Sequence, residues 1–295
     1  MMVRVDPKFV TSKEVLGWKG IHLFHFWFSS CSQKVRLFLR LKSIPWTSHV
    51  INLRNQENHN EWYLGINPRG LVPCLVDDGD VHIESNDIMQ YLENKFPDPP
   101  LLPMDDFERD LMMNQLKEED NLHMELRALT FAFLAPKKMN SLLKFTNYKN
   151  KIHPSPIANQ RSKDVKFYED YINKGITPEQ IVSAYNAWRE KFSELNGKLN
   201  DNSPSNYMAG SKLSLLDIAW FVNVDRLQKC GYPVSHHPRL LEWYNGLLSS
   251  HEGFKEETQL PRMLQFKAVK LRIKQKIQKK AMLDIVNMQK RKKKS

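Results

Sequence analysis

The pattern of hydrophobic and polar positions changes near residue 103. Before that point, short apolar runs alternate with amphipathic segments in the order β-α-β-α-β-β-α. The predicted strands are residues 21–26, 46–53, 74–76 and 81–83, and the predicted helices are residues 33–42, 61–65 and 85–96. This order indicates a mixed four-stranded sheet with helices on its faces over residues 21–102. Residues 1–20 follow no regular period and are predicted to form an exposed N-terminal extension.

Beyond residue 103 the strand pattern disappears and helical periodicity takes over. Helices are predicted at residues 105–134, 177–199, 213–229 and 238–250. The change marks a domain boundary and predicts an all-helical domain over residues 103–259. Within it, residues 135–174 are polar and basic, and they form either a long loop or an inserted helical hairpin, because structureless connections of this length are uncommon in compact domains.

The last segment, residues 260–295, combines an apolar stripe with many cations. Apolar residues recur there at steps of three and four positions: Phe266, Val269, Ile273, Ile277, Ala281, Ile285 and Met288. The spacing predicts a basic amphipathic helix that ends in a polybasic tail. Residues 262–294 fit contact with an anionic membrane surface; the alternatives are a helix packed on the domain, which we favour with a solvated tail, or a nuclear or nucleic-acid signal.

Composition and charge narrow the class of protein. Apolar residues make up 41% of the chain, aromatic residues 11% and charged residues 26%, which excludes wholesale disorder. The net charge is +11, but thirteen lysines and arginines against one aspartate follow residue 261, so the rest of the chain is nearly neutral. A nucleic-acid partner for the whole protein is therefore disfavoured.

Three cysteines are too few for a disulfide framework, and their spacing does not predict a zinc site. No apolar run approaches the roughly 18–20 residues of a membrane span. We therefore expect a cytoplasmic protein without a metal, with peripheral association with an intracellular membrane as an alternative.

Three motifs carry a resemblance to a known family. Residues 29–37 read Ser-Ser-Cys-Ser-Gln-Lys-Val-Arg-Leu at the first strand–helix junction. Asn67-Pro68 leads to Val72-Pro73 and then to Glu84-Ser85, and Ser214 and Asp217 form the pattern of a helical capping box. In this order the motifs resemble the soluble glutathione transferase superfamily. The first motif is similar to that of zeta-class transferases (maleylacetoacetate isomerases), tetrachlorohydroquinone-dehalogenase-like transferases and the ganglioside-induced differentiation-associated proteins.

The resemblance spans roughly residues 21–254. It implies the glutathione transferase fold, an α/β N-terminal thioredoxin-like domain followed by an all-α C-terminal helical domain. It also implies glutathione as co-substrate.

The resemblance assigns the thiolate-activating role to Ser29, which would donate a hydrogen bond to the sulfur of glutathione. Without the other motifs, Ser29 would be read as a plain N-cap. Cys31 stands in the first turn of the predicted helix, where the electrostatics suit a reactive thiol that forms a mixed disulfide with glutathione. The alternative is that Cys31 is a half-buried packing residue. For Cys74 and Cys230, core packing is the better account.

Further residues are implied to bind the tripeptide. A cis Val72–Pro73 bond would present the Val72 main chain to the cysteinyl backbone, and Glu84 and Ser85 would take the γ-glutamyl end. Ser30 is also included in the glutathione site. Arg54, Gln56 and His59 are candidates for the glycyl carboxylate.

Two functions remain open at this point. One is an enzyme that activates glutathione for attack on a hydrophobic electrophile or for thiol transfer, working as a homodimer. The other is a weakly catalytic or non-catalytic interaction protein that keeps the transferase fold. In one form of this alternative, the protein contacts a membrane surface through residues 262–294. The complete glutathione motif set favours the enzyme.

Overall fold

The computed structural model describes residues 4–134, 153–201, 207–259 and 262–292. Contacts divide the chain into two compact units. The first unit contains residues 4–99 and 153–173, and the second contains residues 100–134 and 174–292.

The helices, in chain order, are α1 (Ser30–Leu41), α2 (Glu61–Leu64), α3 (Ser85–Lys95), α4 (Asp106–Asn121), α5 (His123–Phe133), α6 (Arg161–Lys174), α7 (Pro178–Asp201), α8 (Leu215–Cys230), α9 (Pro238–Ser250), α10 (Glu252–Thr258), α11 (Arg262–Ile277) and α12 (Met282–Lys292). The strands are β1 (Arg4–Val5), β2 (Ile21–His25), β3 (Thr47–Val50), β4 (Cys74–Asp77) and β5 (Asp80–Ile83). The predicted α/β segment followed by a helical segment is confirmed.

The sheet of the first unit has five strands in the order β1-β5-β4-β2-β3. Strands β2 and β3 are parallel, as a crossover through α1 requires, and the other neighbours are antiparallel. The β4–β5 hairpin turns at Asp78 and Gly79, both of which have positive φ. The sequence predicted four of these strands and the helices between them.

The prediction of an exposed N-terminal extension is wrong. Residues before 21 were predicted to be irregular and exposed, but Arg4 and Val5 pair with β5, and the side chains of Val5, Val10 and Val15 are fully buried. A Cβ atom on Gly79 would lie 2.2 Å from the carbonyl oxygen of Leu16, so the segment packs directly on the hairpin turn. Three valines spread over eleven residues follow no strand or helix period, which is why the pattern missed them.

The second unit is helical around the buried helix α8. Its capping box is formed as predicted: the Asp217 carboxylate accepts from the Ser214 N–H at 2.8 Å and from the Ser214 hydroxyl at 2.7 Å. Asp217 also accepts from the N–H of Met208 at 2.8 Å and from the indole N–H of Trp243 at 2.9 Å. It therefore joins the start of α8 to the preceding segment and to α9.

Two predicted helices are each divided in the structure. The helix predicted over residues 105–134 ends at Asn121, and α5 begins at His123. The helix predicted over the tail is likewise two helices, separated near Lys279, which has a φ of 51°. Helix α12 packs on α7, and its buried residues are Met282 and Val286. Neither belongs to the predicted stripe, whose member Met288 is 53% exposed, so the stripe does not continue as the packing face past the break.

The insert at residues 135–174 contains α6, preceded by a 3₁₀ turn at Pro156–Gln160. Residues 135–152 lie outside the described residues. Although the sequence placed this insert in the helical domain, residues 153–173 pack with the first unit. Leu64 of α2 contacts Val165, Tyr168 and Ile172 there, an apolar match between segments about a hundred positions apart.

Candidate functional site

The start of α1 brings Ser29 to the loop before β4. Ser29 is the N-cap of α1, and its Oγ accepts a hydrogen bond from the Ser32 N–H at 3.2 Å. The same Oγ lies 3.5 Å from the carbonyl oxygen of Val72. Ser29 Oγ therefore faces the loop while one of its lone pairs serves the cap.

Side chains of the first unit hold the loop before β4 in place by hydrogen bonds to its main chain. The Val72–Pro73 peptide bond is cis, as expected. The carbonyl of Leu71 accepts from the Asn67 amide at 2.8 Å and from the Tyr63 hydroxyl at 2.5 Å. Such bonds satisfy main-chain groups that a buried loop would otherwise leave unpaired. The main chain at Val72 is thus fixed next to the N-terminus of α1.

Glu84 and Ser85 stand where β5 turns into α3. Glu84 has a φ of 68° and a ψ of 119°, a conformation rare for a residue with a side chain, and such strain concentrates at ligand sites. Ser85 is buried at the first position of α3, where helix N–H groups favour an anion. The neighbouring Asn86 accepts from the ammonium of buried Lys34 at 2.9 Å, which ties α3 to α1.

Arg69 is a residue of this region that the sequence analysis did not identify. Its Nη1 donates to a carboxylate oxygen of Glu84, and its Nη2 lies 3.3 Å from a carboxylate oxygen of Asp164 on α6. Burial opposes the charge of Arg69, but the Glu84 and Asp164 carboxylates outweigh it and hold the pKa of the guanidinium above its usual value. Arg69 belongs to the recognised Asn67–Pro73 segment, whereas nothing in the pattern connects Asp164 with it.

Gln56 stands between two 3₁₀ turns, Leu53–Asn55 and Glu57–His59, and His59 ends the second; both side chains are buried. Between them, the Asn58 amide donates to the Gly70 carbonyl at 2.7 Å, so these turns are tied to the Val72 loop. Arg54 places its guanidinium 5.2 Å from the centre of the Trp27 ring. The structure thus joins this segment to the loop, although it buries two of the three residues expected at the glycyl end.

The cysteines differ in their surroundings. Cys31 is partly exposed in the first turn of α1, beside Ser29 and Ser30, and no disulfide forms in the protein. Cys74 and Cys230 are buried, which confirms their packing role. Burial raises the pKa of the Cys230 thiol to about 12 and raises that of Cys74 further, so neither is a thiolate near neutrality.

A neutral histidine lies behind the site. His25 ends β2 and is buried, and its Nε2 lies 2.7 Å from the Ser48 hydroxyl. Burial first, and then the charges of Arg36 and His49, lower the pKa of His25 to about 4. Arg36 also donates to the carbonyls of Phe26 at 3.1 Å and Trp27 at 3.3 Å, which holds the chain leading to Ser29.

The described ranges contain neither a cluster of metal ligands nor a membrane-spanning helix. Among those residues, no three histidine, cysteine, aspartate or glutamate side chains converge as metal ligands. None of the helices in the same ranges is both long and apolar enough to cross a bilayer.

Comparisons with known proteins address the first unit most directly. Residues 28–95 match the family model of the glutathione S-transferase N-terminal domain. Glutathione S-transferase Z1 of Arabidopsis thaliana is 42% identical over 90 residues, which are 30% of this chain and 40% of the relative. A probable maleylacetoacetate isomerase of Caenorhabditis elegans is 41% identical over 87 residues, again 30% of this chain and 40% of the relative. The matches thus span about 40% of the length of these curated relatives.

Solved structures extend the similarity to most of the fold. The β-etherase LigF from Sphingobium sp. strain SYK-6 aligns with a TM-score of 0.67 at 26% identity, covering 80% of this chain and 98% of that one. A diazinon-metabolizing glutathione S-transferase of the silkworm Bombyx mori aligns with a TM-score of 0.55 at 17% identity, covering 81% and 95%, which supports the fold alone. Residues 28–95 therefore form a glutathione S-transferase N-terminal domain that is similar to those of zeta-class relatives, and the chain has the fold of the solved glutathione S-transferases.

Proposed function

We propose that the protein is a glutathione transferase: it binds glutathione on the first unit and activates the thiolate for attack on a hydrophobic electrophile or for thiol transfer. The observation that carries this proposal is the placement of the Ser29 hydroxyl 3.5 Å from the Val72 carbonyl, at the N-terminus of α1. A hydroxyl that faces this loop can donate to a sulfur anion bound beside it. Positive potential at the helix start acts in the same direction.

The rest of the tripeptide would be bound by neighbouring elements. The main chain of Val72, next to Pro73, would pair with the cysteinyl backbone as a neighbouring strand does. Glu84 and Ser85 would take the γ-glutamyl end. Ser30 would add a donor beside the thiolate.

The glycyl carboxylate would lie near the turns that carry Arg54, Gln56 and His59. Because Gln56 and His59 are buried, we assign them a supporting role in holding these turns and expect Arg54 to face the carboxylate.

Cys31 offers a second chemistry at the same place. Its thiolate would attack a mixed disulfide of glutathione and substrate, form a Cys31–glutathione disulfide and release the substrate thiolate. A second glutathione thiolate would then attack that disulfide, releasing oxidised glutathione and regenerating the Cys31 thiolate. Conjugation needs Ser29 and thiol transfer needs Cys31, so the two activities separate by substitution.

The first experiment is binding to immobilised glutathione, followed by thermal-shift titration with glutathione and with S-methylglutathione. We expect stabilisation of the unaltered protein that grows with ligand concentration. Ser29→Ala should weaken binding of glutathione more than binding of S-methylglutathione, because only the former presents a thiolate. Failure of the unaltered protein to bind glutathione would contradict the proposed function.

Assembly and location are part of the proposal. We propose that the protein acts as a cytoplasmic homodimer, in line with the glutathione transferases that it resembles. Sedimentation at several protein concentrations measures this directly, and a monomer at micromolar concentration would contradict it.

A second candidate function is docking on an anionic membrane surface through α11. Four apolar side chains of this helix are largely exposed: Phe266 (76%), Val269 (56%), Ile273 (54%) and Ile277 (76%). At 100° per residue they form one stripe. The helix contacts the second unit from other sides, through Gln275 at 3.1 Å from the Phe133 carbonyl and through Arg272 with the Gln228 carbonyl. The stripe therefore points away from the unit.

Charge complementarity selects the partner of this stripe. Lys270, Lys274 and Lys276 flank it, and residues 262–277 contain no acidic residue. A second copy of the same helix would be repelled, and nucleic acid would leave the apolar side chains unused. An anionic lipid surface would bury the apolar stripe and also attract the lysines, each of which contributes about 1 kcal/mol of binding free energy.

Vesicle sedimentation tests this second candidate. The protein should bind vesicles of phosphatidylcholine with phosphatidylserine but not phosphatidylcholine alone. Phe266→Ser with Ile273→Ser should weaken binding, as should Lys270→Gln with Lys274→Gln, whereas Met124→Ser, an exposed change elsewhere, should not. Binding that survives the apolar substitutions and is displaced by RNA would instead assign the tail to nucleic acid.

A further inference from the structure

Helix α6 brings a carboxylate to the proposed glutathione site from a distant part of the chain. Its apolar residues Val165, Tyr168 and Ile172 pack against Leu64, and Arg161 donates to the carbonyl of Pro68. These contacts attach α6 to the segment that carries the Val72 loop. The helix is therefore fixed against the glutathione domain at both its packing face and its first residue.

The result is a chain of three charged side chains. Arg69 stands between Glu84 and Asp164, and its side chain is 17% exposed. The two carboxylates differ in exposure: the Asp164 side chain is 5% exposed, whereas that of Glu84 is 40% exposed. Asp164 is thus the buried anchor of Arg69, and Glu84 is the open end of the chain, beside Ser85.

The exposed Glu84 carboxylate beside the Arg69 guanidinium is complementary to the amino-acid end of glutathione. The γ-glutamyl end of glutathione carries an α-carboxylate and an α-ammonium on the same carbon. A guanidinium binds a carboxylate with strong, directed hydrogen bonds, and a carboxylate accepts from an ammonium. A buried Asp164 keeps Arg69 in place and offsets its charge when Glu84 turns to the ammonium.

We propose that Arg69 binds the α-carboxylate of the γ-glutamyl group while Glu84 accepts from its ammonium, and that Asp164 is a positioning residue for Arg69. This inference rests on the proposed glutathione function. Arg69 and Glu84 together recognise the zwitterionic amino-acid end of glutathione. The insert helix α6 takes part in substrate binding because it carries Asp164.

Calorimetric binding of three ligands separates the two charges. The ligands are glutathione, γ-aminobutyryl-cysteinylglycine, which lacks the α-carboxylate, and glutaryl-cysteinylglycine, which lacks the α-ammonium. Arg69→Met should weaken glutathione and the glutaryl compound about 10- to 100-fold and leave the aminobutyryl compound nearly unchanged. Glu84→Gln should do the reverse, weakening glutathione and the aminobutyryl compound.

Asp164 is tested with the same ligands. Asp164→Asn should weaken the two carboxylate-bearing ligands by about 3- to 10-fold, since it loosens Arg69 without removing it. Asp164→Glu should recover part of that loss, and both variants should bind the aminobutyryl compound, which lacks the carboxylate, as the unaltered protein does, which a merely structural role would not predict. Lys166→Gln, an exposed charge change on the same helix, should leave all three affinities unchanged.

The outcomes are distinguishable. If the unaltered protein binds none of the ligands, the proposed function and this inference both fail. If it binds glutathione but Arg69→Met weakens all three ligands equally, or none, only the inference is overturned. Thermal melting of each variant identifies loss of folding, and Arg69→Lys, which keeps the charge without the fork, supplies a second variant that should show the same ligand pattern at smaller amplitude.

Discussion

The Oγ of Ser29 lies 3.5 Å from the carbonyl oxygen of Val72, although the two residues are 43 positions apart. One hydroxyl thereby caps α1 with a lone pair and also faces the loop. The carbonyl is a neutral acceptor. In the proposed complex, a thiolate bound beside this hydroxyl would be a stronger acceptor than the carbonyl.

Replacement of this hydroxyl has two separable effects. Ser29→Ala should lower turnover with an electrophile about 10- to 100-fold, since a hydrogen bond to a charged group is lost. It should also cost about 1 kcal/mol of stability, because a helix cap is lost. Activity assays and urea unfolding measure the two.

Asp105 provides the matched control for Ser29. It is the N-cap of α4 and accepts from the Glu108 N–H at 2.9 Å, so Asp105→Ala removes a cap in the second unit. A similar loss of stability with unchanged turnover is expected. If Ser29→Ala retained full conjugation while Cys31→Ser abolished turnover, Cys31 would be the reactive group.

Acid should destabilise the protein through His25. Its pKa is about 4 in the folded state instead of 6.5, because burial first, then Arg36 and His49, oppose the charge. Between these values the unfolded state binds more protons, so the free energy of unfolding falls as the pH decreases. The contribution of His25 is fully present above pH 6.5 and is reduced by about 2 kcal/mol near pH 4, with allowance for solvent screening.

Urea unfolding at several pH values measures this dependence. His25→Gln should flatten the slope between pH 6.5 and pH 4, the interval set by the two pKa values. Identical slopes for His25→Gln and the unaltered protein would show that another group carries the acid sensitivity.

Asp217 should be the most sensitive polar position of the second unit. Its carboxylate accepts four hydrogen bonds, from Ser214 twice, Met208 and Trp243. Burial raises its pKa to about 6 even though these donors lower it. Asp217→Asn would place an amide N–H against a donor and should cost about 2–4 kcal/mol by denaturant unfolding. Asp110→Asn, an exposed change on α4, should alter stability little; equal costs would contradict a structural role for Asp217.

Helix α12 contains its own control. The side chain of Met282 is 1% exposed where α12 packs on α7, and that of Met288 is 53% exposed. Met282→Ala should cost about 2–5 kcal/mol, because it leaves a cavity. Met288→Ala should change stability by less than about 0.5 kcal/mol. Equal effects on the unfolding midpoint would mean that α12 is not docked in solution.

Much of the first unit was readable from local patterns. The apolar run around Leu23, the Asp78-Gly79 turn and the N-cap at Ser29 each act within a few residues, so the sequence predicted strand, hairpin and helix there. The cis bond at Val72–Pro73 and the pairing of Ser214 with Asp217 were likewise expected from short motifs, and the structure has both.

Other features depend on partners that are far apart in the chain. Val5 joins the sheet because β5 offers an unpaired edge, and the break near Lys279 lets Met282 and Val286 reach α7. No period within residues 1–20 or across the tail contains that information. The helical stripe was correctly predicted in α11, but which side of it faces solvent depends on where Gln275 and Arg272 find their acceptors.

Local sequence therefore specified the elements, the caps and the family motifs, since these depend on hydrogen bonds and side-chain periods within one or two turns. Only the tertiary structure decided that Asp164 stands against Arg69, 95 positions away, and that the insert helix belongs with the first unit. The physical reason is that apolar packing is not specific to one partner: any exposed apolar face can pack against any other. Only the folded chain determines that the face of Leu64 packs against the face of Tyr168.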